Sequence, residues 1–435
     1  MVLFYQATTK TSAKNKTALI ESLDYQGLGI AKIEGKTWFI ADALPGEKVL
    51  FTIQEEKRQY GIGKTTKRLT SSAQRLEPLC PYYQQCGGCQ MQHIPIEMQR
   101  RAKEQALMRQ LQKIAPEVKI EAMISGEQWH YRRRARLSVQ YVATTKQIKL
   151  GFRQKQSNQL VEINQCPVLV PALSALLPAL TQLLQQWQQP RKLGHIELVA
   201  ADNGIALFLR HLGALNAVDA EKLQLFGQQY QLMLFVSEQE QQVSAWTEAR
   251  PYYHIGALKL FFDIRDFIQV NRQINEKMVQ TALHWLDPQA DDQILDLFCG
   301  MGNFTLPLAQ QSKRVVGIEG VAQMVEKARY NAQQNGITNA LFHQADLSAP
   351  FANQIWAQEK FNKILLDPPR SGAAFVLNHL IELQAEKILY VSCNPATLVR
   401  DAKILVENGY HLEKSAMIDM FPQTGHLESI TLFSK

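Results

Sequence analysis

Between residues 293 and 391 short apolar runs recur, Gln293–Phe298, Val315–Ile318, Lys363–Leu366 and Ile388–Val391. Helical stretches alternate with them, Met324–Asn335 among them and Ala396–Asn408 after the last. Runs this short and this apolar fit strands covered on both faces, and their alternation with helices predicts a parallel, doubly wound sheet. The pattern begins near Asp263 and constrains the fold of everything after it. Open α/β sheets bind ligands beyond the carboxyl ends of their strands, so the residues that follow each run carry the chemistry.

The first run passes into Cys299-Gly300-Met301-Gly302-Asn303-Phe304, a glycine turn that lets a ligand approach the backbone before a helix begins. Glu319 closes the second run, where an acidic side chain receives the ribose hydroxyls of an adenosine cofactor. Asp346 follows the apolar pair Leu341-Phe342, where a carboxylate can meet an adenine edge. An NAD-binding domain would want a third glycine where Thr305 stands. An ordinary turn glycine pair would leave Glu319 and Asp346 without a role. With the motifs that follow, S-adenosylmethionine is the favoured cofactor.

Asp367-Pro368-Pro369-Arg370 follows the third run. Enzymes that methylate exocyclic amines carry an aromatic after the two prolines to stack the base, so Arg370 points to a carbon target. Ser392-Cys393-Asn394-Pro395 follows the fourth run and starts a helix, whose dipole favours a thiolate at Cys393. A single cysteine is more often a small buried hydrophobe, but this one shares a sheet edge with Asp367. Uracil C5 is a poor nucleophile. A thiolate added at C6 turns the ring into an enolate whose C5 can attack a methylsulfonium, and a base must then remove the C5 proton. Gln423-Thr424-Gly425-His426-Leu427-Glu428-Ser429, in the last strand-like segment, offers Glu428 as that base, with His426 second.

Upstream, residues 16 to 74 read as short strands, Leu19-Ile20, Gly29–Ala31, Trp38–Ile40 and Val49–Ile53, broken by Gly35-Lys36 and Pro45-Gly46. About five strands in roughly sixty residues suit a small barrel of the OB type. Lys57, Arg58, Lys64, Lys67 and Arg68 give it a basic edge that fits nucleic acid or a solvated face equally. Pro95 to Gln112 reads as helical, and Trp129 to Phe235 as a mainly strand-like second domain with a helical interruption at Ala172–Gln189. Tyr131-Arg132-Arg133-Arg134-Ala135-Arg136 enters a strand there and suits phosphate contact, an exposed strand face being the plainer reading.

The net charge of +7 permits polyanionic partners without requiring them. The most apolar run, Cys166–Leu184, carries Pro167, Pro171 and Pro178 and reads as core rather than membrane span. Met1–Lys16 lacks the apolar segment of a signal peptide, so the cytoplasm is the expected location. In that reducing compartment Cys80, Cys86, Cys89, Cys166, Cys299 and Cys393 are not expected to form disulfides. Cys80-x5-Cys86-x2-Cys89 with the late Cys166-Pro167 gives a thiolate set that suits zinc or an iron–sulfur cluster. Only one Cys-x-x-Cys knuckle is present, and the spacing is not that of radical enzymes. Cys299 reads as packing.

Taken together, Asp296–Leu308, Asp367-Pro-Pro-Arg-Ser-Gly, Ser392-Cys-Asn-Pro and Gln423-Thr-x-His-x-Glu-Ser resemble the RNA uracil-C5 methyltransferase family over nearly the whole chain. The resemblance implies a class I S-adenosylmethionine methyltransferase (Rossmann-like) domain at 263–435. Before it would come an OB-like TRAM barrel at 10–76 and a central, mainly β domain at 77–262 with an iron–sulfur cluster. It implies Cys393 as nucleophile and Glu428 as base. Gln269, Phe298, Asn303, Glu319, Asp346 and Asp367 would line the cofactor pocket, and Phe267 would pack against the target base. A [4Fe-4S] cluster would sit on Cys80, Cys86, Cys89 and Cys166, structural rather than redox-active because methyl transfer needs no electron. Arg132, Arg133 and Arg134 are the candidate RNA contacts. Barrel plus cluster points within the family to a specific uridine of 23S ribosomal RNA, with the base flipped from its stack. No membrane and no obligate protein partner is implied, and a monomer is expected. The same chemistry on tRNA or on another 23S site remains open. A DNA cytosine-C5 methyltransferase would carry proline before its cysteine, where Ser392 stands. A non-catalytic RNA-binding scaffold with a metal ribbon would need neither Cys393 nor Glu428.

Overall fold

The computed structural model describes residues 15–239, 242–349, 351 and 353–435. The polar stretch read as lacking a leader, and the first positions of the expected barrel, therefore lie outside the described residues as far as residue 14. By its contacts the chain forms two compact units, one of residues 1–79, 89–106 and 423–425, the other of 80–88, 107–422 and 426–435.

The first unit is built on strands β1 (Asn15–Leu19), β2 (Ser22–Leu23), β3 (Gly29–Ile33), β4 (Lys36–Ala41), β5 (Lys48–Glu56) and β6 (Tyr60–Arg68), in the order β1-β5-β6-β4-β3-β2. Alternation puts Trp38 and Ile40 of β4 inside with Val49 and Phe51 of β5. Gly61 and Gly63 are required there, because a Cβ at either would come within 2.3 Å of the Trp38 or Phe51 ring. The buried Glu47 carboxylate accepts from Arg75 Nε at 2.7 Å and Nη2 at 2.8 Å and from the Leu44 amide. The helix α1 (Ile96–Leu111) falls where the sequence predicts one.

In the second unit the chain runs through β7 (Lys119–Ile120), β8 (Arg134–Val142), β9 (Gln147–Arg153), β10 (Leu160–Glu162), α2 (Pro171–Gln185), β11 (Leu193–Ala201), β12 (Gly204–His211), α3 (Ala217–Gln229), β13 (Leu232–Gln239) and β14 (Gln242–Ala245). All but β7 of these strands form one sheet, β10-β9-β8-β11-β12-β13-β14, antiparallel except for β12 beside β13. One face is apolar: Leu137, Ile196, Leu209 and Val236 pack with Leu173, Leu177 and Leu180 of α2 and with Leu223 of α3. The apolar run is thus a core helix despite Pro178, and no described helix is long and apolar enough to cross a membrane.

A hairpin, β15 (Tyr252–Ile255) and β16 (Leu258–Phe261), and helix α4 (Arg272–Leu286) lead into β17 (Gln293–Leu297), α5 (Thr305–Ala309), β18 (Arg314–Glu319), α6 (Ala322–Gln334), β19 (Ala340–Gln344), β20 (Lys363–Leu366), α7 (Ala374–Leu383), β21 (Lys387–Ser392), α8 (Pro395–Glu407), β22 (His411–Ile418) and β23 (Glu428–Ser434). The sheet order is β19-β18-β17-β20-β21-β23-β22-β7. The expectation of a parallel sheet holds from β19 to β21 and then needs correction. β23 lies antiparallel between β21 and β22, reached by the turn after β22 rather than by a crossover helix. The chain moves outward from β17 through β18 to β19, then returns to β20 on the other side. That reversal opens a crevice beyond the ends of β17 and β20.

Candidate active site

Register brings the chemistry of separate segments to this crevice. Leu297 pairs with Leu366, so Phe298 and Asp367 leave adjacent strands side by side. Ser392 of β21 pairs with Ser429 of antiparallel β23, and one step further sets Cys393 opposite Glu428. A cavity of about 1610 Å³ opens here, and its wall includes Gln269, Phe298, Asn303, Glu319, Asp367 and Cys393. Phe267, Arg370, His426 and Glu428 also line it.

The nucleotide side is held by backbone and amide groups. Glu319 Oε2 accepts from the Gly300 amide at 3.2 Å and Oε1 from the Val321 amide at 2.9 Å. Gly300 has φ +54° and Gly302 φ +99°, and a Cβ on Gly300 would meet nothing, so the turn leaves room in front of that carboxylate. Phe298 takes the same left-handed region, φ 65°, a strained conformation for an aromatic residue, with its ring edge-on to Phe375. The Asn303 carboxamide exchanges two 3.0 Å bonds with Asn275 and accepts from the buried Tyr253 hydroxyl at 3.0 Å. Asn275 and Tyr253 were not singled out in the sequence. The sign available was the Asn271/Asn275 repeat, one helical turn apart, right after Phe267-Ile-Gln269. Asp346 differs from the rest: it is exposed, accepts from Ser348, and is absent from the cavity wall.

Two carboxyls near the strand ends titrate high. Burial pushes Asp367 up to about 7. Burial also raises Asp296 to about 7, the Asp367 and Glu319 charges adding to it, although the Thr305 hydroxyl donates to its Oδ2 at 2.5 Å.

Cys393 is half-buried. Burial raises its thiol, and the Glu428 and Asp367 charges push the same way against Arg370. The expectation that a helix start would favour the thiolate is thus corrected for the resting site. Asn394 takes the cap, its Oδ1 accepting from the Ala396 amide at 3.1 Å. The Asn394 amide also donates to the Arg370 carbonyl at 3.0 Å, joining the Pro-Pro-Arg turn to α8. Arg370 reaches His426 Nδ1 at 3.2 Å. Phe267, 72% exposed, is an uncovered aromatic on the cavity wall.

The arginine run departs most from expectation. Arg133 is 2% exposed: its Nε donates to the Gln269 carbonyl at 2.8 Å and its guanidinium lies 4.7 Å over the Tyr253 ring. It cannot meet a phosphate from there. Arg134 is half-buried, paired with Glu197 at 2.7 Å and bonded to the carbonyls of Ile264 and Asp266. Arg132 is half-buried, its Nε on the Arg134 carbonyl. Strand alternation turned successive arginines to opposite faces.

For a metal, the donors are soft thiols that form no disulfide. Burial raises the Cys80 thiol, and charge on Cys166 and Cys86 adds to that. The 80–88 loop is pinned to the central sheet by Gly87 N to Arg153 O at 3.0 Å and Lys155 N to Gln85 O at 3.2 Å. Among the described residues, however, no group of three or more His, Cys, Asp and Glu is arranged to hold a metal ion. The residues as they stand do not form a finished metal site, and no chemical step is routed through one.

A crevice at a sheet reversal, an acidic strand end on a glycine turn and a half-buried cysteine facing carboxylates are the features of an α/β methyltransferase fold. The sequence model of the tRNA (Uracil-5-)-methyltransferase family matches residues 96–435, and that of the TRAM domain matches residues 11–66. The chain belongs to this methyltransferase family. It is 58% identical over 437 residues, covering 100% of both chains, to the 23S rRNA (uracil(1939)-C(5))-methyltransferase RlmD of Haemophilus influenzae. It is 47% identical, again over 100% of both, to the protein of that name from Erwinia tasmaniensis. Its fold is similar to that of the Pyrococcus abyssi tRNA (uracil-54, C5)-methyltransferase solved with S-adenosyl-L-homocysteine. That likeness has a TM-score of 0.75 at 21% identity, covering 96% of this chain and 99% of that one.

Proposed function

We propose that the protein methylates C5 of one uridine in 23S ribosomal RNA, with S-adenosylmethionine as donor and Cys393 as covalent nucleophile. The observation that carries this reading is the meeting of Cys393, Asp367 and Glu428 on one cavity wall with Gln269, Asn303 and Glu319. Full-length relatives named for that reaction support the substrate. The cavity exceeds the roughly 300–1,000 Å³ of a usual ligand site, which suits a nucleoside cofactor and a flipped base together.

The residues fit the donor: Glu319 suits its ribose hydroxyls, and Gln269, Asn303 and Asp367 its remaining polar groups. It supplies an electrophilic methyl group. Phe267 stacks the uracil. As the uracil enters, the Cys393 thiol gives its proton to solvent, and its sulfur adds to C6, turning the ring into an enolate. C5 then takes the methyl. Glu428 removes the C5 proton, and the S–C6 bond breaks to return the thiolate. Asp346 belongs to this reading only if its turn moves toward the adenine.

We further propose that Cys80, Cys86, Cys89 and Cys166 hold a [4Fe-4S] cluster of structural role. Thiol chemistry and sequence spacing support it.

The test is a 23S fragment carrying 5-fluorouridine at the target. Fluorine cannot leave as a proton, so a methylated protein–RNA adduct should accumulate and survive denaturation. Cys393→Ala should abolish the adduct, and Glu428→Gln should let the adduct of the ordinary substrate persist. Undiminished 5-methyluridine from the alanine variant would refute covalent catalysis.

A further inference from the structure

Beside the active cavity, on the face of the central sheet opposite α2 and α3, lies a hollow of about 520 Å³. Alternation along β8 sends Ala135 and Leu137 into the core and Arg134 and Arg136 to this face. The antiparallel register pairs Arg136 with Glu197, and β12 adds Arg210. Arg132 and Arg265 complete the basic lining, and Glu197 is its one acidic member among the described residues. That carboxylate is already engaged: Oε2 meets Arg134 at 2.7 Å, and Oε1 meets His195 at 3.3 Å and Arg136 at 4.0 Å. Among the described residues, five guanidiniums line this concave site against a single carboxylate. Arg136 keeps 67% of its side chain exposed.

We infer that this hollow receives a backbone phosphate of the RNA strand next to the target uridine. The inference rests on the proposed reaction for the identity of the strand. Guanidinium forks match phosphate oxygens in pairs, and a low-dielectric hollow strengthens the attraction. Position favours RNA over an acidic polypeptide. Arg265 lines both this hollow and the active cavity, two residues from Phe267. Arg134 fixes the same segment through the Ile264 and Asp266 carbonyls, so the spacing between hollow and reactive centre is set by the fold. A phosphate held here gives the strand a register from which one base can turn into the cavity.

The experiment measures binding of a labelled 23S fragment by wild type, Arg136→Gln, Arg265→Gln and Arg136→Lys across a salt series. For each glutamine variant, affinity should fall about tenfold and the slope of log affinity against log salt by about 0.7. The lysine variant should keep the slope. In Arg136→Gln, whose residue is absent from the active-cavity wall, S-adenosylmethionine affinity, melting temperature and turnover at saturating RNA should stay at wild-type values, with only the RNA KM raised. A methylphosphonate at one position near the target uridine should weaken wild type and leave Arg136→Gln indifferent. Unchanged RNA affinity and slope in both glutamine variants would overturn the inference, as would a loss that tracks cofactor affinity or melting. Weakened polyglutamate binding with intact RNA binding would assign the hollow to an acidic polypeptide and overturn it too. If wild type made no 5-methyluridine while Arg136→Gln still lost RNA binding and slope, the reaction assignment would fall and the hollow would stand.

Discussion

Asp296 shows how one residue can record the cost of a site. It is fully buried in β17, beneath the glycine turn, and its Oδ1 has no hydrogen-bond partner. Burial raises it to about 7, near Asp367 at the same value. The sign follows from proton binding. The folded chain holds this proton where the unfolded chain, titrating in the ordinary carboxylate range, has released it. The stability it contributes is therefore complete below about pH 4 and is lost as pH rises through about 7, on the order of a few kcal/mol. Asp296→Asn keeps an acceptor for Thr305 and removes the titration. In thermal unfolding of the cofactor-free protein, the variant should gain on wild type from about pH 4 to about pH 7 and hold a constant difference above that. A melting difference independent of pH would show that Asp296 is ionised throughout. Cys393 belongs to the same pattern, a thiol kept protonated at rest by burial and by the Glu428 and Asp367 charges.

At the scale of elements, the cofactor wall leans on strands outside the catalytic sheet. Arg133 opens into β8 and holds the Gln269 carbonyl, and Tyr253 of β15 holds Asn303. The two terminal guanidinium nitrogens of Arg133 have no partner, and burial pulls its pKa down. A buried, unpaired cation is poor for stability. Arg133→Met should therefore melt within about 1 kcal/mol of wild type or above it. With Gln269 released, S-adenosylmethionine affinity should weaken about tenfold. Calorimetric titration with the cofactor reads this directly, and wild-type affinity in the variant would show that Arg133 has no positioning role. The strands of the catalytic sheet and their closing residues were legible because each run is apolar on both faces and its chemistry sits just past its end. The arginines were not legible as a set. Residues 132–136 look alike in sequence, yet pleating buries Arg133 and exposes Arg136. Asn275 and Tyr253 were hidden because each acts through Asn303, from segments with no motif of their own. The antiparallel place of β23 was hidden as well, since an apolar run does not state its direction.

At the scale of the whole molecule, what matters is whether a chain this large needs a metal. With 435 residues and an extended core joining the central sheet to the catalytic one, the second unit has ample apolar burial to fold without a staple. A cluster would then order only its own surroundings. These are the 80–88 loop on β9 and the start of the segment before α2, where the Cys166 amide donates to Ser174 Oγ at 2.9 Å. Protein purified without oxygen should carry about four irons and about four sulfides per chain, with broad visible absorbance. Cys166→Ser should lose both. Proteolysis should then open the 80–88 loop first, while the main melting transition moves by about 2–4 °C or less, as expected when a change is local in a chain of this size. S-adenosylmethionine affinity should stay at the wild-type value, because Glu319 and Asn303 are held by contacts that do not involve the thiols. One equivalent of zinc with no sulfide would replace the cluster by a zinc site. Collapse of cofactor affinity in Cys166→Ser would show instead that the thiols set the geometry of the catalytic sheet.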